Sequence, residues 1–321
     1  MSNDNTTPSP FDPSVVNGVV KLTDDMVLPF MLEKTGINGR IVRMGNTINT
    51  ILSRHEDVPY PAKMLLGQFL TLGAALATAL KFDGVFTLQA KGDGPVSMMV
   101  ADVTSNGDVR GYVKVNKELP DEEDCLRSPV LFLLEKGYLA FTVDQGKDME
   151  RYQGIVEIRG KTLDEAVSHY FAQSDQFNSQ VHLAADKGPD GKWRSSCIVL
   201  QKLPEEGGVS KHVTDDAQED WMRAVTLMKS ATNDELISEN LSAEDLLFRL
   251  FHEDGVRVFD PKPLDIGCRC SRDKITGVLM QLSDDDLDHA FVDDKISVNC
   301  EFCNTAFDFT RDDVAALKAA R

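Results

Sequence analysis

Apolar residues recur at every second position over Val96, Met98 and Val100, and again over Val109, Gly111, Val113 and Val115, with Arg110, Tyr112 and Lys114 between the latter. A period of two belongs to a half-buried strand, so both segments predict strands with one face turned inward. Lys91-Gly92-Asp93-Gly94-Pro95 lies between two such runs and reads as a hairpin turn. Met64 to Phe82 is the most apolar stretch of the chain and carries Gln68, Thr71, Thr78 and small Gly and Ala clusters. It sits at the lower length limit of a membrane span, and its polar residues favour a buried helix. Thr162 and Glu165 form a capping box ahead of one apolar stripe, Leu163, Ala166, Val167, Tyr170 and Phe171. Strands outnumber helices and no βαβ rhythm is evident. The expected class is α+β, with a strand-rich N-terminal α/β domain, a helical linker and a small C-terminal module.

The boundaries follow shifts in pattern. Residues 1–22 are polar and read as a disordered tail. Residues 23–203 carry the strand and helix patterns and form the expected core domain. At Pro204-Glu-Glu-Gly-Gly the chain turns acidic and loop-like, opening a linker over 204–262. Trp221, Val225 and Met228 share a helical face there, and Ser242 with Asp245 caps a helix whose apolar side is Leu246, Leu247, Leu250 and Phe251. Helices this short and acidic are expected to have low local stability unless they dock on something. Residues 263–321 form a third unit. Ser271 precedes a helix with Ile275, Val278, Leu279 and Leu282 aligned, a second helix follows after Ser283, and Ile296, Val298, Phe307 and Phe309 alternate in extended runs. A unit this short has too little apolar core to stand alone and needs a staple.

Charge and cysteine content narrow the function. Lys plus Arg number 34 and Asp plus Glu 52, for a formal charge of −18. That balance argues against a nucleic-acid partner, because phosphate binding needs a basic face. The N-terminus lacks the cationic start and apolar core of an export signal, so the expected compartment is the cytoplasm, without membrane attachment. Four of the 6 cysteines, Cys268, Cys270, Cys300 and Cys303, fall in two close pairs. In a reducing compartment such clustered thiols mean metal or redox chemistry more often than structural disulfides. Four thiolates complete a tetrahedral Zn²⁺ site and leave no open position for hydrolysis, which favours a structural or regulatory metal, one per chain.

A plain zinc ribbon is the simplest alternative, but common ribbons use C-x₂-C on both sides, whereas one residue separates Cys268 from Cys270. Near-neighbour thiols that lose their metal are open to internal disulfide formation where the backbone permits it, and metal-held thiolates are what peroxide attacks first. Cys197, in Cys197-Ile-Val-Leu200, reads as a buried small hydrophobe, and Cys125 sits in an acidic, loop-like segment; neither receives a role. The 6 histidines are scattered, and no P-loop, G-x-S-x-G or H-E-x-x-H pattern occurs. Cys300-x-x-Cys303 lacks the βαβ frame of a thioredoxin-type motif.

Taken with their surroundings, these residues resemble a known family. Lys81-Phe-Asp-Gly84, Gln89-Ala-Lys-Gly-Asp-Gly-Pro-Val96, Arg110-Gly111, Arg151-Tyr-Gln-Gly154, Tyr170-Phe-Ala-Gln-Ser-Asp-Gln176, Leu250-Phe-His-Glu253 and Val258-Phe-Asp-Pro261 precede the C-x-C and C-x₂-C pairs in that order. Over most of its length the chain is similar to the 33 kDa chaperonin family (heat shock protein 33), redox-regulated holdase chaperones of bacteria. Two departures stand out: Asp175 in place of Glu, and Ser195-Ser196 in place of a glycine-rich turn.

The resemblance implies a non-enzymatic switch. In the reduced state Cys268, Cys270, Cys300 and Cys303 would bind zinc and the protein would be inactive. Oxidation would form the Cys268–Cys270 and Cys300–Cys303 disulfides, release zinc, and unfold the C-terminal unit with the linker before it. The active form would bind unfolding client proteins without ATP and resemble a homodimer, with the 23–203 domain as the client-binding and dimerisation candidate. A constitutive zinc-ribbon adaptor and a dithiol oxidoreductase using Cys300 and Cys303 remain the competing readings of the residues alone.

Overall fold

The structure, a computed structural model, describes residues 24–146, 149–173, 178–202 and 215–319. The tail expected over 1–22, Asp175, and the opening of the acidic linker at 204 lie outside the described residues. Strands β1 (Met26–Leu32) and β2 (Ile37–Met44) form a hairpin, followed by helices α1 (Asn46–Ser53) and α2 (Tyr60–Ala77). A meander of β3 (Val85–Gly92), β4 (Val96–Thr104) and β5 (Asp108–Val115) leads to the short α3 (Glu122–Arg127), a π-helical turn at Val130–Leu134, and then β6 (Gly137–Asp144) and β7 (Tyr152–Glu157). Helix α4 (Leu163–Gln173) precedes the hairpin β8 (Asn178–Lys187) and β9 (Trp193–Lys202). Next come α5 (Asp215–Lys229), α6 (Asn233–Leu236), α7 (Ala243–Phe251) and three short strands, β10 (Val256–Val258), β11 (Lys262–Pro263) and β12 (Asp265–Ile266). The chain finishes with α8 (Arg272–Leu279), α9 (Asp284–His289), β13 (Lys295–Asn299), β14 (Ala306–Thr310) and α10 (Arg311–Ala319).

The α+β class is the one observed. One 6-stranded sheet runs β10-β1-β2-β9-β8 with β11 also on β1, and the other runs β12-β5-β4-β3-β6-β7. Helix α2 lies between them, which explains why its sequence is apolar on every side. Its leucines and Phe69 are packed among Val42, Met44, Val181 and Val199 of the first sheet and Leu88, Met99, Ala101 and Val109 of the second. Small residues permit the double contact: a Cβ on Gly67 would come within 2.9 Å of Ala185, and one on Gly73 within 3.3 Å of Ala101, on opposite sheets. Thr71, the polar interruption, is satisfied by the Gly67 carbonyl at 2.8 Å and Ser195 Oγ at 2.5 Å. No helix among the described residues is long and apolar enough to cross a membrane.

The first sheet is buried on both faces, so β9 is covered along most of its length rather than on alternate residues. Its second face carries Met26, Leu28, Phe30, Ile41, Ile198 and Leu200, and on these pack Trp221, Met228, Leu236, Leu246, Leu247 and Phe251 of α5 to α7. The acidic helices thus find their dock on a sheet. Polar ties reinforce it: Arg194 pairs with Glu239 at 2.7 Å, His182 Nε2 meets the Ala231 carbonyl at 2.8 Å, and Lys229 donates to Val181 O at 2.5 Å. Arg43 is 3% exposed; it donates to the carbonyls of Ser238 and Leu241 and pairs with Asp24 at 3.3 Å.

Three local readings are corrected. The alternation Val96, Met98, Val100 is out of phase, because a bulge between Val96 and Met98 shifts the register. Met99, Ala101 and Val103 point inward instead, leaving Met98 and Asp102 on the other face of the sheet. Cys125 lies not in a loop but in α3, fully buried, where desolvation and then Asp121, Asp124 and Glu122 push its thiol up. Ser195 and Ser196 are mid-strand in β9 rather than at a turn; the β8–β9 turn falls at Gly188–Gly191.

Candidate metal centre

The C-terminal module has a core of five buried side chains, Leu279, Leu287, Ile296, Phe309 and Val314. Its helices start on Ser271 and Ser283, whose hydroxyls accept from the Lys274 and Asp286 amides, and its β13–β14 hairpin pairs Ile296 with Phe309. Val278 and Leu282 of the expected stripe stay exposed, so α8 contributes less to this core than its pattern promised.

At the edge of that core the two cysteine pairs converge. The four Sγ atoms of Cys268, Cys270, Cys300 and Cys303 lie within 4.8 Å of one another. Cys268 is 3.3 Å from Cys270 and 3.7 Å from Cys300, and Cys270 is 3.4 Å from Cys303. A tetrahedral metal with bonds to sulfur of about 2.3 Å has S–S edges of about 3.8 Å, so size and donor set fit a thiophilic, four-coordinate cation. All four are free thiols. Among the described residues no other group of His, Cys, Asp or Glu converges in this way.

Local backbone builds the site. Cys300 donates its amide to Thr305 O at 3.0 Å and accepts from Asn304 N at 2.8 Å, closing a tight knuckle. Asn304 sits at φ 57°, a left-handed conformation that asparagine tolerates. Burial raises the Cys270 and Cys300 thiols, with neighbouring sulfurs adding to the effect at Cys270. Burial opposes ionisation of Cys303 too, but hydrogen bonding with the Thr305 hydroxyl, 3.2 Å away, and with the Thr305 amide, joined by the Cys268 and Cys270 sulfurs, outweighs it and brings the thiol down to about 6. A cleft lined by Asn49, Ser53, Arg54, Asp57 and Asn304 opens onto Cys303. Cys197 is fully buried in β9, and burial pushes its thiol well up, so it stays an inert hydrophobe.

The residues inside each cysteine pair reach the outer face of the second sheet, a contact the sequence reading missed. Arg269, between Cys268 and Cys270, pairs with Asp102 at 2.5 Å. Phe302, between Cys300 and Cys303, meets the Tyr112 ring edge-on at 4.9 Å and lies 3.9 Å beneath the Arg110 guanidinium. A carboxylate in the apolar run Val100-Ala-Asp102-Val103 was the available sign.

Comparison with known proteins shows the family. The family model described as Hsp33 protein matches residues 25–310. A 33 kDa chaperonin of Caulobacter vibrioides is 40% identical over 290 residues, covering 88% of this chain and 94% of its own. One from Pseudomonas putida is 33% identical over 299 residues, covering 92% and 94%. The crystal structure of a 33 kDa chaperonin (heat shock protein 33 homolog) from Thermotoga maritima shares the fold, with a TM-score of 0.76 at 24% identity over 92% of this chain and 99% of that one. By sequence, then, this chain belongs to the Hsp33 family.

Proposed function

We propose that this chain is a redox-regulated, ATP-independent holdase chaperone of the cytoplasm, inactive when reduced and zinc-bound and active when oxidised and zinc-free. The observation that carries the reading is the pairing of a four-thiol centre with a module whose core is five buried side chains. Cys268, Cys270, Cys300 and Cys303 would hold one Zn²⁺, which supplies a cross-link and keeps the four sulfurs as thiolates. Four-sulfur ligation leaves no open position for a substrate, which supports a non-enzymatic role.

The chain's own residues do the rest. Each thiolate pair, Cys268 with Cys270 and Cys300 with Cys303, gives up two electrons to one peroxide and forms an S–S bond; the peroxide O–O bond breaks and, with two protons taken from solvent, leaves two waters. With the sulfurs no longer holding the hairpin knuckle to the strand end, the module has too little core to stay folded. Its loss removes β12 from β5 and loosens α5 to α7 from the first sheet, baring Phe30, Ile41 and Leu200. That apolar surface supports binding of partly unfolded client proteins and of a second oxidised copy, as in a homodimer. The charge of −18 keeps such complexes in solution and disfavours nucleic acid.

Peroxide treatment at mild heat tests this directly. The expected course is release of one zinc per chain, followed with a colorimetric chelator, alongside loss of four thiols and a gain in suppressing aggregation of a thermally unfolding enzyme. Fully oxidised, metal-free protein that suppressed nothing would end the reading. Zinc that stayed bound under peroxide would favour a constitutive adaptor.

A further inference from the structure

We infer that the outer face of the second sheet carries a preformed subsite for an aromatic side chain of a client, and that Phe302 fills it in the docked form as a stand-in. The inference rests on the holdase reading and specifies one of its contact points.

The subsite is a notch between Arg110 and Tyr112 on β5. Phe302 enters it with two complementary contacts. Its ring stands at 84° to Tyr112 with centroids 4.9 Å apart, and the Arg110 guanidinium lies 3.9 Å over its face. An edge-to-face aromatic pair and a stacked cation together select a flat ring over an aliphatic chain. Neither wall depends on the C-terminal module for its position. Arg110 Nε and Nη2 both donate to Asp102 Oδ2, at 2.9 and 2.7 Å, so the guanidinium is held with its face turned to the ring. Asp102 is 5% exposed and is steadied by the Thr87 hydroxyl at 2.6 Å. The Tyr112 hydroxyl reaches Met98 Sδ at 3.2 Å, on the neighbouring strand.

The notch is therefore built by β3, β4 and β5, and β5 keeps its long antiparallel pairing with β4 when β12 leaves its other edge. The module contributes the occupant, Phe302, a tie from Arg269 to Asp102 at 2.5 Å, and the edge pairing of β12 with Asp108 and Val109. When the module unfolds, Phe302 and Arg269 leave, and an oriented guanidinium beside an exposed tyrosine ring remains. A phenylalanine or tyrosine of a partly unfolded chain meets the same two walls.

The test uses the full chain and a dye-labelled, unstructured peptide with one phenylalanine in a Gly, Ser and Glu background, together with its alanine twin. Oxidised, metal-free wild-type protein is expected to bind the phenylalanine peptide about tenfold more tightly than the twin, by anisotropy. Tyr112→Ala should erase that preference, and Tyr112→Phe should keep it. Reduced, zinc-loaded wild-type protein should show no preference, whereas reduced, zinc-loaded Phe302→Ala should acquire it, since the notch is emptied without touching the sheet. Equal affinity for both peptides in the oxidised wild type, an undiminished preference in Tyr112→Ala, or no gain in Phe302→Ala would each overturn the subsite. Aggregation suppression by the oxidised wild type is read separately. Its absence alongside an intact peptide preference would sink the holdase reading and leave the notch standing.

Discussion

Cys268→Ser combined with Cys270→Ser is expected to abolish zinc binding and unfold residues 268–319 as a unit, at a cost on the order of 10 kcal/mol of coupled binding and folding energy. The size of the effect follows from how little else holds the module. Leu279, Leu287, Ile296, Phe309 and Val314 are its buried core, and its ion pairs, such as Arg311 with Asp294 and Lys318 with Asp284, are largely exposed. Exposed pairs of that kind contribute about 1 kcal/mol or less each. Far-UV circular dichroism, zinc stoichiometry and hydrophobic-dye binding read the outcome. A double variant that kept its zinc and its helical signal would refute the assignment of these sulfurs as the staple.

Arg43→Met should free the linker helices while leaving the metal site loaded. The Arg43 guanidinium is buried beneath them and satisfies the Ser238 and Leu241 carbonyls. Its removal leaves those two acceptors without a donor and Asp24 without its partner, for an expected loss of about 2–4 kcal/mol in docking. The variant should bind hydrophobic dye and be cut by protease between 215 and 255 without any oxidant, with zinc content unchanged. Proteolysis and dye signals identical to wild type would show that apolar packing alone keeps the helices down.

Much of this was legible in the sequence because it depends on local pattern. The buried helix was readable from the most apolar stretch of the chain, β5 from its period of two, and helix starts from Ser242, Ser271 and Ser283. The thiol cluster was readable because a short unit with two close cysteine pairs needs a staple. What escaped was long-range. The phase of β4 depends on a bulge that its own residues do not announce. Cys125 read as part of an acidic, loop-like segment, yet one turn of α3 rotates it into the core. That Arg43 would reach the connection between α6 and α7, or that Arg269 and Phe302 would cross to Asp102 and Tyr112, follows only from the sheet order, since these partners stand far apart in the chain.

The three short strands before the first cysteine carry a mechanical consequence. Residues 256–263 run back along β1, Val258 opposite Phe30 and Pro263 opposite Met26, before the chain crosses to lie beside Asp108 and Val109 of the other sheet. This strap is fastened at its far end by the folded module, which begins where Gly267 donates to Val109 O at 3.0 Å. Once that end is free, thermal tugging acts on one rung at a time, from Ile266 back toward Val256, rather than on all rungs in shear. Amide exchange after oxidation should accordingly reach Gly267 and Asp265 first and the Val256 end last. The seam is a zip fastener whose slider is parked at the carboxyl end, so a small chemical event there can open a long edge with no large barrier at any step.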